Sequence, residues 1–201
     1  MTNLPVNQRN RIRLLQIGAL LLAIPVLTMN PGFHGDGSDT VEAIGVVLVL
    51  VCVVGRMWSV LYIGSKKNRE LVSTGPYSVT RNPLYFFSMI GAVGVGLFVG
   101  SLVLAFILGC ASFLVLVVTA GKEARHLEVL FGDRYREYAQ RTPMFWPRPS
   151  LYRDAEEVAF SPAALRRTFL DGLVFIMILP AIEVIEYLRD AGYPPVLFNL
   201  L

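Results

Sequence analysis

Five apolar runs, parted by short polar segments rich in proline and glycine, set the plan of this chain: Leu14 to Met29, Val41 to Gly64, Pro83 to Val99, Ser101 to Ala120 and Phe169 to Leu188. A bilayer core about 30 Å thick takes roughly 20 helical residues, and helices satisfy their own backbone amides there. The pattern predicts an all-α integral membrane bundle with five transmembrane helices, a single membrane domain over residues 1–201. The uncharged block from Asn82 to Gly121 is too long for one helix, and Gly100-Ser101 breaks it into a hairpin. Its second arm is expected to run on out of the membrane. Glu123, Leu127, Leu130 and Phe131 fall on one helical face there, and Gly132 ends the helix. Asp133 is then expected to cap a short helix on which Tyr135 and Tyr138 share a face, and Pro143 to Pro147 to ride the interface.

Composition agrees with that solvent: 54% of residues are hydrophobic, 16% are charged, and mean hydropathy is +0.56, too apolar for an ordinary soluble domain. Basic residues give the orientation. Arg9, Arg11 and Arg13 precede the first run; Lys66, Lys67, Arg69 and Arg81 follow the second; Lys122, Arg125 and seven further arginines up to Arg167 follow the fourth. The loop from Asn30 to Thr40 has none. The N-terminus is thus expected inside and the C-terminus outside, in an inner or plasma membrane, with the segment Gly121 to Thr168 cytoplasmic. The net charge of +3 follows from this topology and implies no nucleic-acid partner. No small-residue cleavage pattern follows the first run, so it reads as a retained helix. Cys52 and Cys110 lie inside spans as packing residues, and His34 and His126 stand apart, so no metal-ligand spacing appears.

Polar residues at membrane depth need a reason. Arg56 lies eight residues before Gly64, about 12 Å of helix. Two readings stand: a side chain that snorkels to the interface, or one that holds an anionic group of a substrate beside Trp58 and Tyr62. The polar segment Thr74 to Tyr85, TGPYSVTRNPLY, turns at Gly75-Pro76 and at Asn82-Pro83, and Pro83 suits a first helical position. A helix start presents amides to an anion, and Tyr77 and Tyr85 add aromatic walls; a plain interfacial turn explains the segment equally well. This segment and the one after Glu123 flank a hairpin, so both emerge on the same side of the membrane.

Taken together, LVSTGPYSVTRNPLY and EARHLEVLFGDRYREYAQRTP resemble two segments of the isoprenylcysteine carboxyl methyltransferase family, a G-x-Y turn with R-H-P-x-Y and E-E-x-x-L-x-x-x-F-G-x-x-Y-x-x-Y. Gly55-Arg56-Met57-Trp58 with Gly64 is similar to a pattern in the family's preceding helix. The resemblance covers residues 55–147, and the broader group includes phospholipid methyltransferases.

It implies a membrane methyltransferase that uses S-adenosyl-L-methionine in a cytoplasmic pocket and takes a lipophilic or lipid-linked substrate from the bilayer. The implied cofactor contacts fall on Arg69, Glu70, Leu71, Val72, Tyr77, Arg81, Asn82, Pro83, Leu84, Tyr85 and Glu123, with Arg56 and Glu123 as catalytic residues. The chemistry agrees, since Glu123 can pair with the donor's ammonium and the tyrosines suit its adenine or sulfonium. Three positions depart from the family: Asn82 replaces His, Ala124 replaces the second Glu, and Thr119 stands where prenylcysteine-methylating members can carry an Arg. They weaken the case for a prenylcysteine carboxylate, leaving phospholipid head groups and small thiols as other acceptors. A small transporter or a noncatalytic scaffold are the readings from other classes. The fifth span lies outside the resemblance, and wall of the pocket, homodimer contact and simple anchor are all open to it.

Overall fold

The computed structural model describes residues 29–30, 38–66, 69–190 and 198–199. The expected first span, with Arg9, Arg11, Arg13 and His34, lies outside these residues apart from Met29. Six helices make up the described chain: α1 (Ser38–Ile63), α2 (Pro76–Val79), α3 (Pro83–Phe98), α4 (Leu102–Phe131), α5 (Asp133–Arg141) and α6 (Pro162–Asp190). A 3-10 turn spans Pro149–Leu151, and Met29–Asn30 pairs in parallel with Phe198–Asn199.

Three of these helices, α1, α4 and α6, are long and apolar enough to cross a membrane. The fourth apolar helix, α3, has 16 residues, about 24 Å at 1.5 Å per residue. It fits the short arm expected of the hairpin. Gly100 takes φ 72°, a left-handed conformation that suits glycine, and the Ser101 hydroxyl caps α4 by accepting from the Leu104 amide at 3.2 Å. Four of the five expected spans are therefore helices; α6 starts at Pro162, about two turns earlier than the apolar run that marked it.

α3 sits at the centre, packed on α1 and α4 and touching α6, while α1 also packs on α6. Small residues let these axes approach. A Cβ on Gly45 would meet the Phe98 amide nitrogen at 2.5 Å, and one on Gly96 would meet the Ala105 Cα at 2.4 Å. The tightest apolar cluster joins Val49, Val95, Phe98, Val99, Leu104, Leu179 and Ile182. All belong to the bundle end that carries the Gly100 turn, so the opposite end is left for polar side chains. α4 leans outward: only 11% of its most apolar stretch is buried, against 39% for α1, and Phe106, Leu114 and Val115 face out as lipid-facing residues do.

At the other end α4 continues without interruption to Phe131, as its sequence predicts. One detail differs. Gly132, at φ 56°, closes α4 and also occupies the N-cap of α5, so Asp133 is not the cap but the first helical residue, where its carboxylate takes Arg136 at 2.7 Å. The left-handed turn needs glycine, and that places the cap one residue earlier than side-chain chemistry suggested.

Candidate functional site

The polar end is built on the turn before α3. Gly75 takes φ 58°, which lets Pro76 open the single turn of α2, and the Ser78 hydroxyl donates back to the Gly75 carbonyl at 2.7 Å. Tyr77 and Ser78 are buried by this fold. Asn82 then precedes α3, its carbonyl accepting from the amides of Tyr85 and Phe86, each at 3.1 Å. Those two amides are occupied, so the start of α3 offers an anion less free backbone than its sequence suggests.

Tyr85 projects from the first turn of α3 to meet α4, and its hydroxyl donates to Glu123 Oε2 at 2.9 Å. The acid therefore faces the bundle. Leu127 and Phe131 share that half-buried face, whereas Leu130 is 46% exposed and departs from it. Tyr77 lies beside this pair. Its ring is 5% exposed and its hydroxyl is buried without a hydrogen-bond partner. Burial, and after it the neighbouring Tyr138, Glu123 and Tyr85, hold the Tyr77 phenol well above its ordinary range, so it stays protonated with a hydrogen bond to give. Tyr138, on α5, donates to the Tyr77 carbonyl at 2.7 Å and fixes that turn from below.

Arg56 reaches the same helix one turn deeper. Its Nη1 donates to Ser88 Oγ at 2.5 Å, and Ser88 donates in turn to the Leu84 carbonyl at 2.7 Å. The guanidinium lies 6.0 Å from the Phe175 ring of α6, its Nε is buried and unpartnered, and among the described residues no carboxylate forms an ion pair with it. Ser88 and Tyr85 are three residues apart on α3, about 4.5 Å along the axis on neighbouring positions of one face. Arg56, Tyr85 and Glu123 are thus joined through α3.

The remaining expected contacts do not share one cavity. Glu70, Leu71 and Val72 line a hollow of about 260 Å³ together with Tyr62, Lys66 and Ala155. Arg69 is exposed, and Glu70 pairs with Lys66 at 3.3 Å. Arg81 lies elsewhere, on a second hollow between α4 and α5. Pro83 is buried, while Asn82 and Leu84 are half-buried; the Asn82 side chain donates to the Met144 carbonyl at 2.8 Å.

That last bond belongs to a strap that begins with the segment Pro143 to Pro147 expected at the interface and makes contacts its sequence does not announce. Residues 143–159 run back along the turn: Arg81 N–H to the Pro143 carbonyl, Thr80 Oγ1 to that of Phe145, Arg148 N–H to that of Val79 and Gly75 N–H to that of Arg153, all at 2.7 to 2.9 Å. Phe145 is buried while Trp146 stays exposed. Asp154 ties the strap to α1 by accepting from Tyr62 at 2.5 Å and from Tyr152 at 3.0 Å. Those hydrogen bonds, with the Ala155 amide, hold its carboxyl below the ordinary range. Ser88 was also missed, although it is the one hydroxyl between Tyr85 and Val99 in an otherwise apolar run.

Two curated proteins align along most of the chain. The nickel-cobalt-cadmium resistance protein NccN of Alcaligenes xylosoxydans xylosoxydans is 32% identical over 93% of this chain and 88% of its own length. The chain belongs to its family. The cobalt-zinc-cadmium resistance protein CzcN of Cupriavidus metallidurans is 36% identical over 77% of this chain and 71% of its own. Within the chain, residues 41–134 match the phospholipid methyltransferase family. That stretch runs from α1 to the start of α5 and contains all the expected site residues, from Arg56 to Glu123; the strap and α6 lie beyond it. No solved structure matches.

Proposed function

We propose that this member of the NccN and CzcN family is an integral membrane methyltransferase that uses S-adenosyl-L-methionine and methylates a lipophilic acceptor, of isoprenylcysteine carboxyl methyltransferase type, with its working face cytoplasmic. The observation that carries the reading is the Tyr85–Glu123 hydrogen bond beside the partnerless Tyr77 hydroxyl. An inward carboxylate and a buried spare donor fit a ligand with an ammonium and several hydroxyls. When bound, the donor supplies a methyl group already activated by its sulfonium.

The chain's own residues then have the work of holding and aligning. Glu123 holds the ammonium, the Tyr77 hydroxyl meets a ribose or carboxylate oxygen, and the first turn of α3, Asn82 to Tyr85, borders the same group. The hollow lined by Glu70, Leu71 and Val72 takes a further part of the donor. At about 260 Å³ it falls below the ~300 Å³ where ligand pockets usually begin, so it serves one portion rather than the whole. Arg56, one turn deeper, faces what arrives from the bilayer and holds the acceptor's polar group; alignment of two reactants in this way is worth up to ~10 kcal/mol.

The match over residues 41–134 favours a second acceptor class, phospholipid. Thr119 points the same way, since it is exposed on the outer face of α4 and donates to the Val115 carbonyl. Its hydroxyl is neutral and already given to the backbone, so it supplies no charge to a substrate carboxylate as an Arg would. The relatives' names bring in a setting, metal resistance, in which a changed membrane constituent would be the product that matters.

The test is titration of purified protein in detergent with the methyl donor, followed by incubation of membranes containing it with labelled donor. Binding in the micromolar to millimolar range and label in a lipid or lipid-linked species are expected. Absence of donor binding at several millimolar would sink the reading.

A further inference from the structure

The hollow between α4 and α5 does not share its lining with the one beside Glu70, and its charges do not balance. It measures about 360 Å³ and is lined by Arg81, Arg125, Glu128, Tyr135, Arg136 and Gln140, among others. The carboxylate of Glu128 is already taken by Arg136 at 2.9 Å, and Arg136 holds Asp133 as well. Arg81 and Arg125 have no ion pair among the described residues. Arg81 is also fixed in place without an acid. Its Nη1 donates to the hydroxyl of buried Tyr135 at 3.2 Å, the guanidinium lies 6.0 Å from that ring, and its Nε is buried with no partner. A guanidinium held by a phenol, with an N–H to spare, is prepared for an oxyanion.

Position narrows the ligand. The apolar part of α4 ends near Ala120, and Ala124 and Arg125 follow about one turn later. The hollow therefore opens at the level where a membrane carries its head groups. We propose that it is a phosphate-binding site, with Arg81 and Arg125 as the groups that hold a phosphate ester presented at the membrane surface, separate from the site at Glu123. Two sources share this chemistry, the head group of an anionic phospholipid and free phosphate.

The full chain in neutral detergent is titrated with short-chain phosphatidic acid, short-chain phosphatidylcholine and inorganic phosphate, in the presence and absence of methyl donor. Phosphatidic acid is expected to bind more tightly than phosphatidylcholine, and Arg125→Gln, an exposed position that tests charge without disturbing the fold, is expected to weaken it about tenfold. Arg81→Gln is expected to weaken it further. Tighter binding of the lipid than of inorganic phosphate assigns the site to a head group; equal binding assigns it to free phosphate. Unchanged affinity in both Arg125→Gln and Arg81→Gln overturns the proposal. So does competitive displacement by the methyl donor, which would make the hollow part of the donor site, whereas loss of donor binding in Glu123→Ala bears only on the donor site.

Discussion

Replacing Glu123 separates a ligand-binding acid from a structural one. In Glu123→Ala the Tyr85 hydroxyl loses its partner at 2.9 Å, and the bundle end loses an inward carboxylate. A hydrogen bond to a charged group contributes about 1.5–3 kcal/mol. Glu123 is only half-buried, so the lower part of that range applies, and donor affinity should fall about 10- to 30-fold. Glu123→Gln keeps an acceptor for Tyr85 and removes the charge. If the acid pairs with the donor's ammonium, the Gln variant loses nearly as much as the Ala variant; if it only braces Tyr85, Gln restores binding. The assay is calorimetric titration of detergent-purified protein with the methyl donor, with thermal unfolding as the check on folding. Thr119→Ala, on the outer face of α4, supplies the unaffected comparison. Donor affinity within twofold of the parent in both Glu123 variants would refute the assignment.

Three further outcomes follow from the geometry. Arg56→Gln should leave donor affinity unchanged and cut turnover by at least about tenfold on the identified acceptor, since its contacts are Ser88 and Phe175 rather than the Tyr85 pair; steady-state rates with labelled donor decide it. Gly75→Ala meets both a φ of +58° and the Tyr62 ring, 2.3 Å from the added Cβ, so it should cost about 2–4 kcal/mol and lower the midpoint of thermal unfolding. The Asp154 carboxyl titrates below its ordinary value because Tyr62 and Tyr152 donate to it. Its contribution is complete above the unfolded carboxyl value, about 3.9, and disappears as pH falls through the lower folded value. Hydrogen-exchange protection of residues 149–158, taken relative to the intrinsic amide rate at each pH, should therefore be strong at neutral pH and weaken in acid, and Asp154→Asn should flatten that dependence.

Local pattern made some of the site readable in advance. The outward run of α4 and the inward face of Glu123 follow from helical periodicity alone, because the residues that decide them lie within eight positions of one another. The hairpin break at Gly100 and the start of α3 at Pro83 are backbone chemistry, equally local. The strap was unreadable for the opposite reason. The bonds that tie it to the rest of the fold join residues 62 to 94 positions apart, such as Asn82 to Met144 and Ser65 to Ala159, and most use backbone carbonyls that every residue carries.

The chain alone determined its solvent, its described helices and the bundle end where polar side chains collect, because each of these is a sum over neighbouring residues whose polarity and backbone preference can be read in order. Only the packed bundle decided that Ser88 would receive Arg56, that Tyr77 would be buried with an unused hydroxyl, and that Arg81 would leave the other expected contacts for a hollow of its own. Those outcomes depend on how closely α1, α3 and α4 approach and at what height they meet. Contacts such as Gly45 on Phe98 and Gly96 on Ala105 set that approach to within a fraction of an ångström, and it is written in no single segment.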